Sequence, residues 1–406
     1  MSEHKVVIIG AGEAGGQTAI SLRQGSYEGR IIVLGDEAYI PYERPPLSKA
    51  FLAGEAELER MYMRGPEFYP QNKIELRLNT SVKTIDRTKK RVTLINGEAL
   101  AYDKLVIATG GRVRKLSCPG AELPGVHYLR SIDDVIGYRD QLVAGANLAI
   151  IGGGYIGLEV AAVVIKRGCK VTVIEALPRV LNRVVAPEMS AFYTDVHRQA
   201  GVNILTSTAV TALEGQGKIE YVVCNTGQRI AADLAIVGIG IVPNIAIAQA
   251  AGLNCDNGIV VDKFALTSDP DIYAVGDCSN HPNEILGRRL RLESVPNALA
   301  QGKAAALHIL GKPEKYAEVP WFWSDQYDLK LQMTGLSEPG DTVVIRGSMP
   351  ERKFSACYLR HGVFVACNAV NMAKDFLQSK KLIAAKNQID PVKLADVSIP
   401  LKDMAV

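Results

Sequence analysis

Two short glycine strings constrain this chain more than any other feature of its sequence. Gly10-Ala-Gly-Glu-Ala-Gly15 follows the apolar run Lys5–Ile9, and Gly152-Gly-Gly-Tyr-Ile-Gly157 follows a second apolar run at 148–151. Each string leads into a stretch of helical character, at 16–24 and 158–166. Each is then followed by another apolar run, at 31–34 and 171–174. This is a strand, a tight turn, a helix and a strand, the opening unit of a dinucleotide-binding fold. The glycine spacing has a physical reason. Gly10 and Gly152 allow the turn, and Gly12 and Gly154 let the backbone approach a pyrophosphate. Gly15 and Gly157 let the helix pack closely, so that its first amides face the anion. Ala14 in the first string, and Tyr155 and Ile156 in the second, belong to these sites as turn neighbours. Two copies predict an α/β protein with two Rossmann-like domains and two nucleotide sites.

An acidic residue at the end of the second strand accepts hydrogen bonds from a ribose. The first unit offers Asp36 and Glu37. The second offers Glu175, directly after its strand. A carboxylate there repels a 2′-phosphate, and Arg179 is the one nearby cation that argues for NADPH. Glu175 holds the expected position, so the second site reads as one for NADH.

Other segments extend the pattern. Leu105-Val-Ile-Ala-Thr-Gly-Gly-Arg112 runs a strand into a glycine turn, and residues 234–243, with Gly240, repeat that design. The string 267–277, ending in Gly276-Asp277, belongs chemically with the first site. The second domain therefore reads as inserted into the first. The boundaries drawn are 1–114 with 246–319 for the first domain and 115–245 for the second. From 320 to 406 the sequence changes to short alternating runs at 342–346, 354–359 and 363–366, which predict a third, α+β domain.

Composition narrows the function. The chain has 406 residues, 48% hydrophobic and 22% charged, with a net charge of +3. No whole-protein field points to nucleic acid. Seven scattered cysteines, none in CxxC spacing, suit a reducing cytosol. The histidines show no metal spacing, and no metal is expected. The first apolar run is too short for a signal peptide, and no stretch is long enough to span a bilayer, so a cytoplasmic enzyme is expected.

The sequence also resembles a known family. The strings that carry the resemblance are Pro41-Tyr-Glu-Arg-Pro-Pro-Leu-Ser-Lys49, Gly152-Gly-Gly-Tyr-Ile-Gly-Leu-Glu159, Tyr273-Ala-Val-Gly-Asp-Cys278, Glu293-Ser-Val-Pro-Asn-Ala298 and Pro320-Trp-Phe-Trp-Ser-Asp-Gln-Tyr327. They are similar to FAD-dependent pyridine-nucleotide reductases of glutathione reductase-like fold, and within these to the putidaredoxin reductase-like ferredoxin reductases of bacterial oxygenase systems. The resemblance implies FAD at the first site and NADH at the second. It carries Asp36 to the adenosine ribose, Arg44 and Lys49 to the flavin side, and Asp277 to the ribitol and pyrophosphate. It places Val82, Ala108, Arg130 and Val295 along the FAD. Glu159, in the first turn of the second glycine-led helix, is explained by the helix dipole alone. The resemblance adds that it lies by the nicotinamide and pairs with Lys49.

Disulfide reductases of this fold carry redox cysteines soon after the first glycine turn. This chain has none before Cys118, so its electrons must leave by another route. The resemblance names an acidic 2Fe–2S ferredoxin as the acceptor, serving an oxygenase. Hydride passes from NADH to FAD, then single electrons pass outward. Trp321 and Trp323 alternate on an extended segment and present one aromatic face, which the resemblance sets near the partner surface. Lys303 is a candidate contact for the ferredoxin, with Arg288 and Arg289 as weaker ones. The alternatives are a redox-sensing flavoprotein similar to apoptosis-inducing factor, and a rubredoxin reductase.

Overall fold

The computed structural model describes residues 4–404. The chain packs as two units, each assembled from separated segments.

The first unit takes the chain up to Arg44, then Leu58–Arg112 and Val242–Pro320. Its centre is a five-stranded parallel sheet in the order Ile272–Ala274, Lys104–Ile107, Lys5–Ile9, Arg30–Leu34, Ile74–Arg77. Val7 sits opposite Ile32 on one side and Leu105 on the other. The inner strands are apolar on both faces because both faces are covered, whereas the edge strand Ile74–Arg77 carries Glu75 and Arg77. The helix Glu13–Gln24 begins three residues earlier than its periodicity predicts, since Gly15 and Gly16 lie inside it and add no apolar signal. Its partner is the helix Val295–Ile309. At Gly302 a Cβ would meet the Ala14 carbonyl oxygen at 2.7 Å, so glycine permits this close approach.

The second unit takes Pro45–Glu57, Val113–Ile241 and the chain from Trp321 onward. Its parallel sheet has the order Asn203–Leu205, Lys170–Ile174, Asn147–Ile151, Leu234–Val237, Val126–Tyr128. The helix Tyr155–Lys166 follows the glycine turn. Each unit also carries a small antiparallel sheet that the sequence did not announce, Val82–Asp86 with Arg91–Leu94 and Ala99–Ala101 in the first, and Val210–Glu214 with Tyr221–Cys224 and Arg229–Ala231 in the second. The two halves thus repeat one design.

The predicted third sheet is antiparallel, with strand order Trp321–Gln326, Leu329–Gly335, Val363–Val370, Lys353–Arg360, Thr342–Ser348. The helix Ala373–Ala385 buries Phe376, Leu382 and Ile383. By packing, this sheet groups with the second nucleotide-binding sheet. We propose that the three sheets are nonetheless separate domains, with the boundaries read from the sequence.

Candidate functional site

Both glycine turns have the geometry that their sequence demands. Gly10 and Gly152 adopt φ of +112° and +113°, a conformation side chains rarely take. A Cβ on Gly12 or Gly154 would meet nothing within 4 Å, so the space above each turn is open. Neither following helix has a side-chain cap on its first amides. Other helices here are capped, by Ser131 and by Ser294. Unclaimed amides beside an open glycine turn fit a pyrophosphate at both sites.

In the first unit the two acidic candidates separate. Glu37 is committed: it accepts from the Tyr42 hydroxyl at 2.6 Å and pairs with Arg44 at 2.5 Å. Arg44 also lies 5.0 Å from the centre of the Tyr42 ring. Asp36 is exposed at the sheet end, in keeping with a ribose contact. Asp277 is half-buried in the short helix Gly276–Cys278, and Gln301 Oε1 accepts the Gly276 amide at 2.8 Å. Ala108 is buried, Val82 is half-buried, and Val295 opens its helix.

Glu13, a half-buried carboxyl that accepts the Arg44 amide at 3.2 Å, was not singled out by motif reading. It occupies a variable position of the glycine string, so no pattern marks it. Burial pushes its carboxyl from 4.5 up to about 7, with Asp277 adding to the rise and Arg44 opposing it. The folded chain keeps a proton that the unfolded chain releases, so this group's contribution to stability falls as pH rises from about 4.5 to 7. Urea midpoints of wild type and Glu13→Gln, compared across that range, are expected to converge at low pH and diverge in favour of the glutamine above it. Parallel curves would remove the role.

In the second unit, Glu175 accepts the Gly153 amide at 2.7 Å and the Leu177 amide at 2.8 Å, one on each oxygen. Each oxygen keeps a further lone pair for a ribose hydroxyl. Arg179 is spent internally on Val185 O (2.7 Å), Ser190 Oγ (2.6 Å) and Asn182 O (3.0 Å). Gly240 has φ of +99°, Ile156 is largely exposed, and Tyr155 donates to Met333 Sδ at 2.7 Å.

Glu159 lies one turn into the helix Tyr155–Lys166 and is only 4% exposed. Its Oε2 takes Lys49 Nζ at 2.6 Å and Ser48 Oγ at 2.5 Å, and its Oε1 takes Ser324 Oγ at 2.6 Å. The dipole alone does not explain this arrangement: a buried carboxylate with three donors is held in one orientation. Ser48 and Ser324 were also missed, because a serine carries no periodic signal. Arg130 sits before the Ser131 cap, its amide on Asp134 at 2.9 Å. Trp321 and Trp323 share a face, with ring centres 5.7 Å apart. Lys303 is exposed. Arg289 is a different case, since its guanidinium holds Val261 O and the side chain and carbonyl of Asn280. Those bonds make it a brace of its own hairpin.

Cys278 follows Asp277 but is fully buried and donates to backbone carbonyls, and burial raises its pKa. It remains a thiol. All seven cysteines are free, and no metal-binding cluster occurs among the described residues.

Paired dinucleotide turns, a carboxylate beyond each and a buried glutamate paired with a half-buried lysine define a two-nucleotide reductase. The chain belongs to the pyridine nucleotide-disulphide oxidoreductase family, whose model matches residues 4–302, and residues 321–405 match the reductase C-terminal model. It is similar to putidaredoxin reductase CamA of Pseudomonas putida, 46% identical over 405 residues, 98% of this chain and 96% of that protein. It is also similar to the 5,5'-dehydrodivanillate O-demethylase ferredoxin reductase subunit of a Sphingobium species, 45% identical over 407 residues, 100% of this chain and 99% of that one. A chain in the crystal structure of the covalent putidaredoxin reductase–putidaredoxin complex matches with a TM-score of 0.96 and 45% identity, covering 99% and 98% of the two chains.

Proposed function

We propose that this protein is an FAD-containing, NADH-dependent ferredoxin reductase that supplies single electrons to a 2Fe–2S ferredoxin of an oxygenase system. The observation that carries the reading is the combination of two open glycine turns with a sequence that has no cysteine before Cys118. Of the relatives described above, one is named a putidaredoxin reductase and the other the ferredoxin reductase subunit of an O-demethylase. Bound FAD would accept two electrons from the nicotinamide and release them one at a time, which a nicotinamide cannot do.

The chain's own residues bind, orient and exclude water. The amides above Gly12, with Asp36, Arg44 and Asp277, would hold the FAD. Val82, Ala108 and Val295 would line it. The amides above Gly154, with Glu175, would hold NADH. Lys49 and Glu159 would fix charge at the nicotinamide end. Hydride transfer needs alignment more than a general acid, so a carboxylate locked by three donors supplies position. No helix among the described residues is long and apolar enough to cross a membrane. We place the protein in the cytoplasm, where its free thiols stay reduced.

NADH is expected to exceed NADPH at least tenfold in kcat/KM, about 1.4 kcal/mol. Glu175→Ala should narrow that gap, chiefly by weakening NADH, and a wild type that prefers NADPH would refute the assignment.

The acceptor is tested with purified ferredoxins and rubredoxins. An acidic ferredoxin should accelerate NADH oxidation, and the acceleration should fade as salt shortens the Debye length from about 10 Å at 0.1 M to about 3 Å at 1 M. Lys303→Glu should raise the apparent KM for ferredoxin and spare ferricyanide reduction. Equal loss with both acceptors would assign Lys303 to folding. No acceleration by any ferredoxin would overturn the function, and acceleration by rubredoxin alone would change the partner. Arg288 is the second candidate for the same charge reversal.

A further inference from the structure

The polar contacts around Glu159 do not end at Ser324. Gln326 Nε2 donates to Ser324 Oγ at 3.1 Å, Gln326 Oε1 lies 2.9 Å from His197 Nε2, and His197 Nδ1 lies 2.9 Å from the Tyr327 hydroxyl. Glu159, Ser324, Gln326 and His197 are all buried. Glu159 and His197 lie on separate helices, Ser324 and Gln326 on the strand Trp321–Gln326, and Tyr327 just after it.

Chemistry allows this chain one direction. A carboxylate facing the Lys49 ammonium accepts only, so the single Ser324 hydrogen goes to Glu159. Ser324 Oγ must then accept, which requires the NH₂ end of the Gln326 amide. The other end, Oε1, can only accept, so His197 Nε2 carries a proton. A neutral imidazole then has Nδ1 as acceptor, and the Tyr327 hydroxyl donates to it. Every donor points toward Glu159. The opposite histidine tautomer would turn the amide over. Gln326 Oε1 would then face Ser324, take its hydrogen, and deprive Glu159 of a donor.

We propose that Tyr327, His197 and Gln326 are positioning residues for Glu159: the phenol fixes the imidazole tautomer, the imidazole fixes the amide, and the amide leaves the Ser324 hydrogen to the carboxylate. Burial lowers the His197 pKa and so favours the neutral ring the chain needs, against a smaller opposing effect of Gln326. Burial also keeps the Tyr327 phenol protonated. Tyr327 takes this place despite a left-handed backbone, φ +56°, a conformation that glycine or asparagine adopts more readily. Its side chain, anchored on His197, accounts for the choice. The inference rests on the reading that Glu159 serves the reaction with NADH.

The test uses the full chain with FAD bound. Nitrogen-15 histidine spectra should show His197 as the Nε2–H tautomer in wild type, identified by its loss in His197→Gln, and as a mixture in Tyr327→Phe. In stopped flow, Ser324→Ala should slow flavin reduction by NADH roughly tenfold and Tyr327→Phe roughly threefold, with NADH affinity held within about twofold. The double variant should be no slower than Ser324→Ala, because Tyr327 acts only through that serine. If Ser324→Ala does not retain FAD, Gln326→Met takes its place with the same expectation. Additive losses, or a Tyr327→Phe protein with unchanged tautomer and rate, would sink the proposal. Glu159→Gln separates the two readings: no effect removes Glu159 itself, whereas a slow Glu159→Gln beside an unaffected Ser324→Ala removes only the relay.

Discussion

Alanine at Gly15 and alanine at Gly157 are expected to disable different cofactors. A Cβ on Gly15 would stand 1.9 Å from the Gly10 carbonyl oxygen, and one on Gly157 would stand 2.2 Å from the Gly152 carbonyl oxygen. Both neighbours are backbone, so the helix start must move away from its turn, and the amides move with it. Gly15→Ala should therefore purify with little or no FAD. Gly157→Ala should keep its FAD and still be reduced by dithionite. Its kcat/KM for NADH should fall at least a hundredfold, about 2.7 kcal/mol. Flavin absorbance of the purified proteins and stopped-flow reduction check both halves. If Gly157→Ala loses flavin and Gly15→Ala keeps it, the two sites have been assigned the wrong way round.

The second large effect lies in the antiparallel sheet of the C-terminal segment. Arg346 is 2% exposed and pairs with Asp375 at 3.1 Å. It also donates to the carbonyls of Leu394, Asp396 and Ile399, while Ser355 shares the carboxylate at 3.0 Å. Asp375→Ala strands this guanidinium without its counter-charge and should cost roughly 3–5 kcal/mol. Because the pair is itself expensive to desolvate, Arg346→Met with Asp375→Leu should recover part of that loss. Urea unfolding measures both. A single-variant cost below about 1 kcal/mol would mean that water reaches the site.

The nucleotide-binding framework was legible because glycine spacing and buried strands are local signals. Val6–Ile9 is apolar throughout and sits inside a parallel sheet, and Gly10 and Gly152 have the positive φ that only glycine takes readily. By position alone Asp36 and Glu37 could not be told apart, and only the resemblance favoured Asp36. What divides them is the ion pair between Glu37 and Arg44, which exists only once the chain has folded. Glu159 was visible through its place after a glycine turn, but Ser48 and Ser324 reach it from positions 111 and 165 residues away. Arg179 looked like a cation open to a phosphate until its carbonyl partners were seen. In each case the missing information was a contact made only on folding, local for Glu37 and Arg179 and long-range for Glu159.

The threading of the first unit governs when the protein can acquire its flavin. Its parallel sheet is closed by Ile272–Ala274, paired with Lys104–Ile107, and the helix at Glu13–Gln24 waits for Val295–Ile309. The strands of the second parallel sheet all lie between Val126 and Val237. A ribosome releases the chain from the N-terminus, and non-local pairings form late. The segment that begins the flavin-binding unit is therefore made first and completed long afterwards, while the sheet for NADH can assemble in the interval. A nascent chain stopped near residue 250 would carry both glycine turns but could hold only the nicotinamide. Flavin capture therefore waits until about three-quarters of the 406-residue chain has been made.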